Sequence, residues 1–588
     1  MILAFYDDVR RITIESDVQI NTCFYKKNEL VNVETYERDG RIINVYISPT
    51  FKPHEEYTLS VNGTSVFVEM RGIVKKTWFK ETYRYDGRLG NWVENNTTHF
   101  AVYAPTTSKV SVLMNEQRYL MFRDATGVHH LELEGNFHGQ AYLYEVVRYN
   151  KVKLTTDPYA KASVANREAS VVVDESQIVK AKRDFVEHKN PIIAEMSVRD
   201  FSMDPEVPFS QRGKFLGMLE SHGNYGFAHI LDLGVTHVQL MPINDFATVN
   251  ELNPTESYNW GYDPMQYLAL EGSYSSNVHN PLQGINDLVQ VVNAYHGKNI
   301  GVNVDVVFNH VYEVENHPFH ILAPYYYFRY TRDYYLSNGS FCGNEVASEM
   351  PMARKHIIDA CVHFVDWFAV DGYRFDLMGL LDIETMNELS AAVRELNPNT
   401  MIYGEGWRMP TVHKPSECAT IDNAHKMKTI GFFNDTYRDS IGGRVNGETS
   451  SILMLHDQDG SICSLMNGNH NFPVPPEQSI NYVECHDNYT LADRIAMHRL
   501  SPHDAQRITR VVIASKGIPF IQIGQTFFRN KKGDGNSYQS SDEVNRINWS
   551  MLDAYKDMND DLSKWIHWRR DVDQSYGVCY HYGNIEIK

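Results

Sequence analysis

The stretch Ile300-Gly-Val-Asn-Val-Asp-Val-Val-Phe-Asn-His310 decides the architecture. It is a β-branched, apolar run of strand length that closes on the block Asp305-Val-Val-Phe-Asn-His310. Three later blocks repeat the design: Gly372-Tyr-Arg-Phe-Asp376, Tyr403-Gly-Glu-Gly-Trp407 and Glu484-Cys-His-Asp-Asn488. The last is preceded by Ile480-Asn-Tyr-Val483, again short and apolar. Carboxylates, an arginine and two histidines at the carboxyl ends of successive strands describe an enzyme site on a (β/α)8 TIM barrel.

Working outward from these blocks, strands alternate with helical patterns from about residue 191 onward, as βα units of a parallel sheet do. Barrel strands are expected near Ile192, Val235, Gly301, Gly372, Met401, Lys428, Ile480 and Ile518, the eight that closure requires. Helical stretches fall between them at Pro281–His296, Met352–Phe368 and Ile383–Leu396, and a loop-rich insertion at about 440–479 separates strands six and seven. Upstream the texture is all β. Residues 1–75 alternate apolar and polar positions, as in Arg11-Ile-Thr-Ile-Glu15 and Tyr57-Thr-Leu-Ser-Val61, with turns at Asp39-Gly40 and Asn62-Gly63. Residues 78–187 repeat the style in His99-Phe-Ala-Val-Tyr-Ala-Pro105 and Lys109-Val-Ser-Val-Leu-Met114, as a β-sandwich does. The expected order is therefore an N-terminal β domain (1–75), a β-sandwich (78–187), a catalytic barrel (190–575) and a short tail (576–588).

Composition limits the partners. The 588 residues exceed one ordinary domain, and 43% hydrophobic with 22% charged residues describes a globular chain with a large core. A net charge of −19 argues against nucleic acid and against an anionic membrane, because phosphates are bound by positive patches; a neutral polymer is not repelled. The start, Met-Ile-Leu-Ala-Phe-Tyr-Asp-Asp, lacks a basic segment followed by an apolar stretch, so no secretory signal is expected. Seven scattered cysteines without CxxC spacing favour a reducing compartment, and the expected location is cytoplasmic.

The chemistry follows from spacing. Arg374 and Asp376 are two apart on a strand and project to one face. A guanidinium beside a carboxylate favours the ionised acid, and a nucleophile attacking an anomeric carbon must be an anion. Glu405 ends the next strand, where burial beside an ionised Asp376 would keep it protonated as general acid. His310 and the pair His486-Asp487 could hold sugar hydroxyls as charge develops on the ring. Trp260 and Tyr262 offer rings for stacking on a pyranose, and Trp407 follows Glu405 closely enough to line the same cleft.

These residues resemble the conserved regions of the α-amylase superfamily, glycoside hydrolase family 13. Within it the chain looks like the type I pullulanases, which debranch α-1,6-linked glucans. Tyr258-Asn-Trp-Gly-Tyr-Asp-Pro264 is the discriminating match; Phe375-Asp-Leu-Met-Gly379, Tyr403-Gly-Glu-Gly-Trp407 and Gly533-Asp-Gly-Asn-Ser-Tyr538 support it. Residues 78–187, with Tyr85-Asp-Gly-Arg-Leu-Gly90 and Asp157-Pro-Tyr-Ala-Lys161, are similar to a carbohydrate-binding module of the family 48 type. The resemblance implies Asp376 as nucleophile, Glu405 as acid/base and Asp487 as transition-state stabiliser. It implies substrate contacts from Trp260, Tyr262, Asp263, His310, Arg374, Trp407, His486, Asn536 and Tyr538. The implied substrate is pullulan, branched dextrin or glycogen. No cofactor is required, and a structural calcium ion is compatible with the resemblance, although no ligands for it can be nominated.

Three departures stand out. Strand one reads Ala194-Glu-Met-Ser-Val-Arg-Asp200, where relatives usually have Tyr before the Glu and His before the Val. Thr526 stands where an acid is usual, which puts local packing in question. Residues 576–588 read as a remnant of the family's C-terminal β domain: either this is a short form, or the chain is truncated and its last barrel helix is poorly covered, which predicts reduced stability. Two rival readings remain: an isoamylase-like or α-1,4-acting family 13 enzyme, and a glucan-binding protein on an inactive barrel.

Overall fold

The computed structural model describes residues 2–9, 11–17, 23–25, 29–30, 32–36, 42–46, 53–444, 461–468, 472–573, 575–581 and 584–587. The chain forms two compact units, Met1–Ile178 with Val311–Ile357, and Val179–His310 with Ile358–Lys588.

The first unit is almost all β. Its N-terminal sheet contains the hairpin Tyr57–Val61/Thr64–Met70, whose turn uses Asn62 (φ 49°) and Gly63 (φ 78°). Both residues must adopt positive φ in such a turn, which is why Asn-Gly was readable there. Asp39-Gly40 lies outside the described residues. The same sheet pairs Ile2–Asp8 in parallel with Thr64–Met70. A second β region follows, with Thr97–Tyr103 and Val128–Glu134 in one sheet and Lys109–Met114 and Ala141–Arg148 in the other. The alternating apolar residues of these strands, among them Phe100, Val102, Val110, Val112, Tyr142 and Tyr144, form one buried cluster. The buried carboxylate of Asp157 accepts hydrogen bonds from the hydroxyls of Tyr142 (2.6 Å) and Tyr144 (3.1 Å).

The second unit is a closed eight-stranded barrel. Its strands are β1 (Ile193–Met196), β2 (His237–Leu240), β3 (Gly301–Val306), β4 (Gly372–Phe375), β5 (Met401–Gly404), β6 (Gly431–Phe433), β7 (Ser479–Asn481) and β8 (Ile518–Gln522). All neighbours pair in parallel, and β8 returns to β1 with Ile193 opposite Phe520. Strands covered on both faces read as continuous apolar runs, which made seven of the eight legible to within two residues. The sixth begins at Gly431 rather than Lys428, because Met427–Ile430 closes a turn through Ile430 N–H to Met427 O (3.2 Å). The expected helices are present at Gln283–His296, Pro351–Phe368 and Ile383–Leu396. The last begins where Asp382 accepts from Thr385 N–H (3.0 Å), an ordinary side-chain N-cap.

Two expectations need correction. The last barrel helix, Lys556–Asp571, is covered: Leu562 and Ile566 are fully buried and Tyr576 packs edge-on against Trp568 at 5.4 Å. Residues Val578–His581 and Asn584–Ile587 form a hairpin, with Val578 and Tyr580 buried. The cysteines are not all isolated either. Cys463 and Cys579 lie within bonding distance, their Cα atoms 4.3 Å apart across 116 positions of sequence, a separation that hid the pair. Of the insertion at 440–479, residues 445–460 and 469–471 lie outside the described residues. Among those described, no helix is long and apolar enough to cross a membrane.

Candidate active site

The barrel register assembles the site at the carboxyl ends of the strands. Asp305 on β3 sits opposite Arg374 on β4, which sits opposite Tyr403 on β5. Arg374 is buried, and its guanidinium is shared among three carboxylates. Nη1 lies 3.0 Å from Asp305 Oδ2 and 2.9 Å from Asp376 Oδ1, while Nη2 lies 2.8 Å from Glu405 Oε1. One fork thus fixes Asp376 and Glu405 beside each other, the arrangement a retaining pair about 5–5.5 Å apart needs.

Each carboxylate has further donors. Asn309 Nδ2 donates to Asp376 Oδ2 (2.8 Å) and to its carbonyl (3.0 Å). Leu377 N–H donates to Glu405 Oε2 (3.0 Å), and Leu377 holds a left-handed backbone (φ 40°) to do so. Such a conformation costs a non-glycine residue about 1–3 kcal/mol, so packing around the site must hold it in place. Gly379 follows on the same loop; a Cβ there would overlap the Trp407 carbonyl.

Electrostatics separate the groups. Burial raises Glu405 above the usual carboxylate range; Arg374 opposes this, and the charges of Asp376 and Asp487 add to it. Asp305 is pushed up to about 7 by burial against the pull of Arg374. His486 goes the other way from an ordinary buried imidazole. Burial lowers it, but Glu195 and Asp487 more than compensate and lift it to about 9. Glu195 Oε1 lies 2.8 Å from His486 Nδ1, and Oε2 accepts the His486 backbone N–H at 2.6 Å.

Tyr262 ties the two halves together. Its hydroxyl donates to Asp305 Oδ2 (2.6 Å), and its ring stacks on His486 at 4.7 Å between centroids. Trp260 packs edge-on against the other ring of this pair, His486, at 5.1 Å. Tyr538 is half exposed and reaches the site through Trp260, whose N–H donates to its carbonyl (3.2 Å). Trp407 is half-buried against the cluster of Tyr403, Phe433 and Tyr482. Asp487 is 46% exposed at its side chain, open to a ligand, 3.8 Å from His486 Nε2.

Three further residues expected to touch substrate also make contacts within the protein. His310 Nδ1 lies 2.6 Å from Asn309 Oδ1 and Nε2 3.1 Å from the Tyr262 carbonyl; both partners are acceptors, and burial lowers the imidazole's pKa, so the neutral ring donates to one of them at a time. His310 is thus a brace between Asn309 and Tyr262. The Asp263 carboxylate accepts Thr248 N–H (3.0 Å) and shapes its own loop. Asn536 is exposed at the rim, its N–H donated to Asp534 (2.9 Å). Reasoning from the sequence assigned no role to Glu195, Asp305, Asn309 or Lys531. Lys531 Nζ donates to the His486 carbonyl (2.9 Å) and lies 5.1 Å above the Trp260 ring. The usable signal for Glu195 was an acid inside the apolar run Ile192-Ile-Ala-Glu-Met196. Thr526 is buried, and its hydroxyl donates to Asn559 Oδ1 (2.8 Å).

Two acidic clusters bear on a metal. Glu195, Asp305 and His486 are close enough to ligate one, but their donor atoms are already taken by Arg374, Tyr262 and each other. Asp245, Glu251 and Glu271 form a second buried group. Burial, then the charges of Glu251 and Asp245, raises Glu271 well above the carboxylate range.

Residues 88–160 match the family model for carbohydrate-binding module 48, the isoamylase N-terminal domain. The chain is 36% identical over 528 residues to the pullulanase of Bacillus subtilis (strain 168), covering 84% of this chain and 73% of that protein. It is 29% identical to pullulanase A of Streptococcus pneumoniae serotype 4, of which it spans 45%. Among solved structures, the pullulanase of Anoxybacillus sp. LM18-11 complexed with maltotetraose superposes with a TM-score of 0.91 at 34% identity, over 97% of this chain and 86% of that one. The Bacillus subtilis str. 168 type I pullulanase complexed with maltose gives 0.90 at 32%, over 97% and 85%.

Proposed function

The chain belongs to the pullulanase family, and on that premise we propose that it hydrolyses α-1,6-glucosidic linkages of pullulan and branched dextrins by a retaining double displacement. One observation supports the assignment of roles: the Arg374 guanidinium contacts both Asp376 and Glu405, which suits attack and protonation at a single bond. Asp376 attacks the anomeric carbon while Glu405 gives its proton to the departing glycosidic oxygen, and the C1–O bond breaks. The raised affinity of Glu405 for its proton suits the acid role. In the second step Glu405, now a carboxylate, takes a proton from water, whose oxygen attacks C1 and releases Asp376. Asp487, exposed beside a cationic His486, is placed to hold ring hydroxyls as positive charge develops.

No step of this scheme runs through a cofactor. Glycogen and related branched storage glucans are the proposed natural substrates, and the cytoplasm the proposed compartment. The thiols of Cys361 and Cys485, outside any disulfide, support a reducing compartment, whereas the Cys463–Cys579 pair weighs against it. Mass spectrometry of alkylated protein from rapidly quenched cells decides that point.

The function is tested by the product profile on pullulan, with Asp376→Ala as control. Maltotriose from the wild type alone is the expected result. Panose would indicate α-1,4 cleavage and overturn the linkage assignment, and product from the control would overturn the nucleophile.

A further inference from the structure

In a chain of net charge −19, three cations share one face of a hairpin in the first unit, and among the described residues none of them stands within ion-pair distance of a carboxylate. The hairpin Ala141–Arg148/Lys151–Thr155 turns at Tyr149 and Asn150 and pairs Arg148 with Lys151 and Val146 with Lys153. Pairing in that register puts Arg148, Lys151 and Lys153 on the same side of the sheet. All three line a cleft of about 220 Å³ whose other walls include Glu69, Glu315, His320 and Tyr325; the Glu69 charge acts on Arg148, and Glu315 lies 4.0 Å from His320 Nε2. Arg148 donates to the Ile321 carbonyl (3.0 Å) and Lys153 to the Glu315 carbonyl (3.4 Å). Among the described residues, no acid makes an ion pair with any of the three cations. His320 adds a buried Nδ1 with no hydrogen-bond partner.

Three cations against the two carboxylates of the lining leave the cleft net positive, and such a cleft favours a small anion because charge-assisted bonds are the strong ones. The cleft is smaller than the ~300–1,000 Å³ of sites for drug-sized ligands, so the ligand is small. Its walls are not uniformly cationic. Glu69 and the Tyr325 hydroxyl are neighbours, close enough for the Glu69 charge to raise Tyr325. A carboxylate and a phenol beside three cations would repel a polyanion but bind hydroxyl groups next to a single anionic head. We propose that this cleft binds a phosphorylated monosaccharide, the phosphate against Arg148, Lys151 and Lys153 and the sugar hydroxyls toward Glu69 and Tyr325. The site lies on the unit that lacks the catalytic carboxylates and adds a metabolite-binding function to a hydrolase.

The test is calorimetric titration of the whole chain with glucose 6-phosphate in phosphate-free buffer, for the wild type and the double variant Lys151→Glu/Lys153→Glu. Both lysines are exposed, so the variant should fold and hydrolyse pullulan as the wild type does. Saturable binding that weakens at least tenfold in the variant is the expected result, with glucose and inorganic phosphate each binding at least tenfold more weakly than the ester. Absence of saturable binding, binding unchanged in the variant, or displacement of the ester by maltotriose would each overturn the proposal. Equal affinity for inorganic phosphate would overturn the sugar half of it.

Discussion

Arg374 Nη2 stands 2.8 Å from Glu405 Oε1, yet Glu405 holds its proton more tightly than a free carboxylate does. Burial outweighs the guanidinium, and the neighbouring acids add to burial. The arginine therefore positions the acid without stripping it of its proton. Replacing Arg374 with Ala removes the one influence that lowers Glu405 strongly. The alkaline limb of the kcat/KM profile, which reports loss of the acid's proton, should move to higher pH, and kcat should fall about 100- to 1,000-fold. A pH–rate series on the variant measures both, and an alkaline limb moving downward would contradict this account of Glu405.

The two carboxylates should separate by leaving group. Glu405→Gln removes the proton donor, so pullulan hydrolysis should fall by about 10²–10⁴. An α-maltosyl fluoride needs no protonation to depart, and glycosyl-enzyme formation from it should be largely retained. Asp376→Ala should lose both substrates. Rapid-quench measurement of fluoride release distinguishes the outcomes; equal losses on both substrates in Glu405→Gln would remove Glu405 from the acid role.

Tyr262→Phe isolates one hydrogen bond. The ring would still stack on His486, but Asp305 Oδ2 would lose its 2.6 Å donor in a buried setting. Arg374 Nη1 still reaches that oxygen at 3.0 Å, so the loss is one hydrogen bond rather than an unsatisfied acceptor, about 0.5–1.5 kcal/mol. The variant should melt earlier by that amount in denaturant titration, while Tyr262→Ala, which also removes the ring, should raise KM as well.

Gly379→Ala tests the loop that carries the acid. Gly379 N–H donates to the Glu405 carbonyl (2.9 Å), and its missing side chain admits the Trp407 backbone. A methyl group there must push the Glu405–Trp407 segment outward, at about 1–3 kcal/mol of overpacking strain. Because misplacement by about 1 Å can cost 100-fold in rate, kcat should drop with little change in secondary structure by circular dichroism.

Which of these relations could be read without coordinates depended on how local they are. Arg374 and Asp376 were readable as neighbours because a strand repeats every two residues, and Glu405 because β5 follows β4 around the barrel. The partnership of Glu195 with His486 spans 291 positions and is made only when β8 closes on β1. His310 was readable as the end of a strand, but its contacts with Asn309 Oδ1 and the Tyr262 carbonyl are ones no spacing rule reveals. Leu377 carries no signal at all, since nothing in a leucine announces a left-handed backbone.

The histidine of that closure should govern stability at alkaline pH. His486 titrates near 6.5 when unfolded and at about 9 in the native protein, where burial disfavours its charge but Glu195 and Asp487 hold it. Between those values the native state binds the proton and the unfolded state does not. The stability contributed by the charged pair is therefore complete below pH 6.5 and lost as pH rises through about 9. Asp305, raised to about 7, acts in a lower window, from 3.8 upward, and contributes little to the slope above neutrality. In His486→Gln the imidazolium is gone, so the variant should be less stable at neutral pH, yet its melting temperature should decline less steeply between pH 6.5 and about 9 than that of the wild type. Differential scanning calorimetry across that range measures the two slopes. Parallel slopes would show that His486 takes up no extra proton on folding, and would remove the cationic neighbour on which the placement of Asp487 depends.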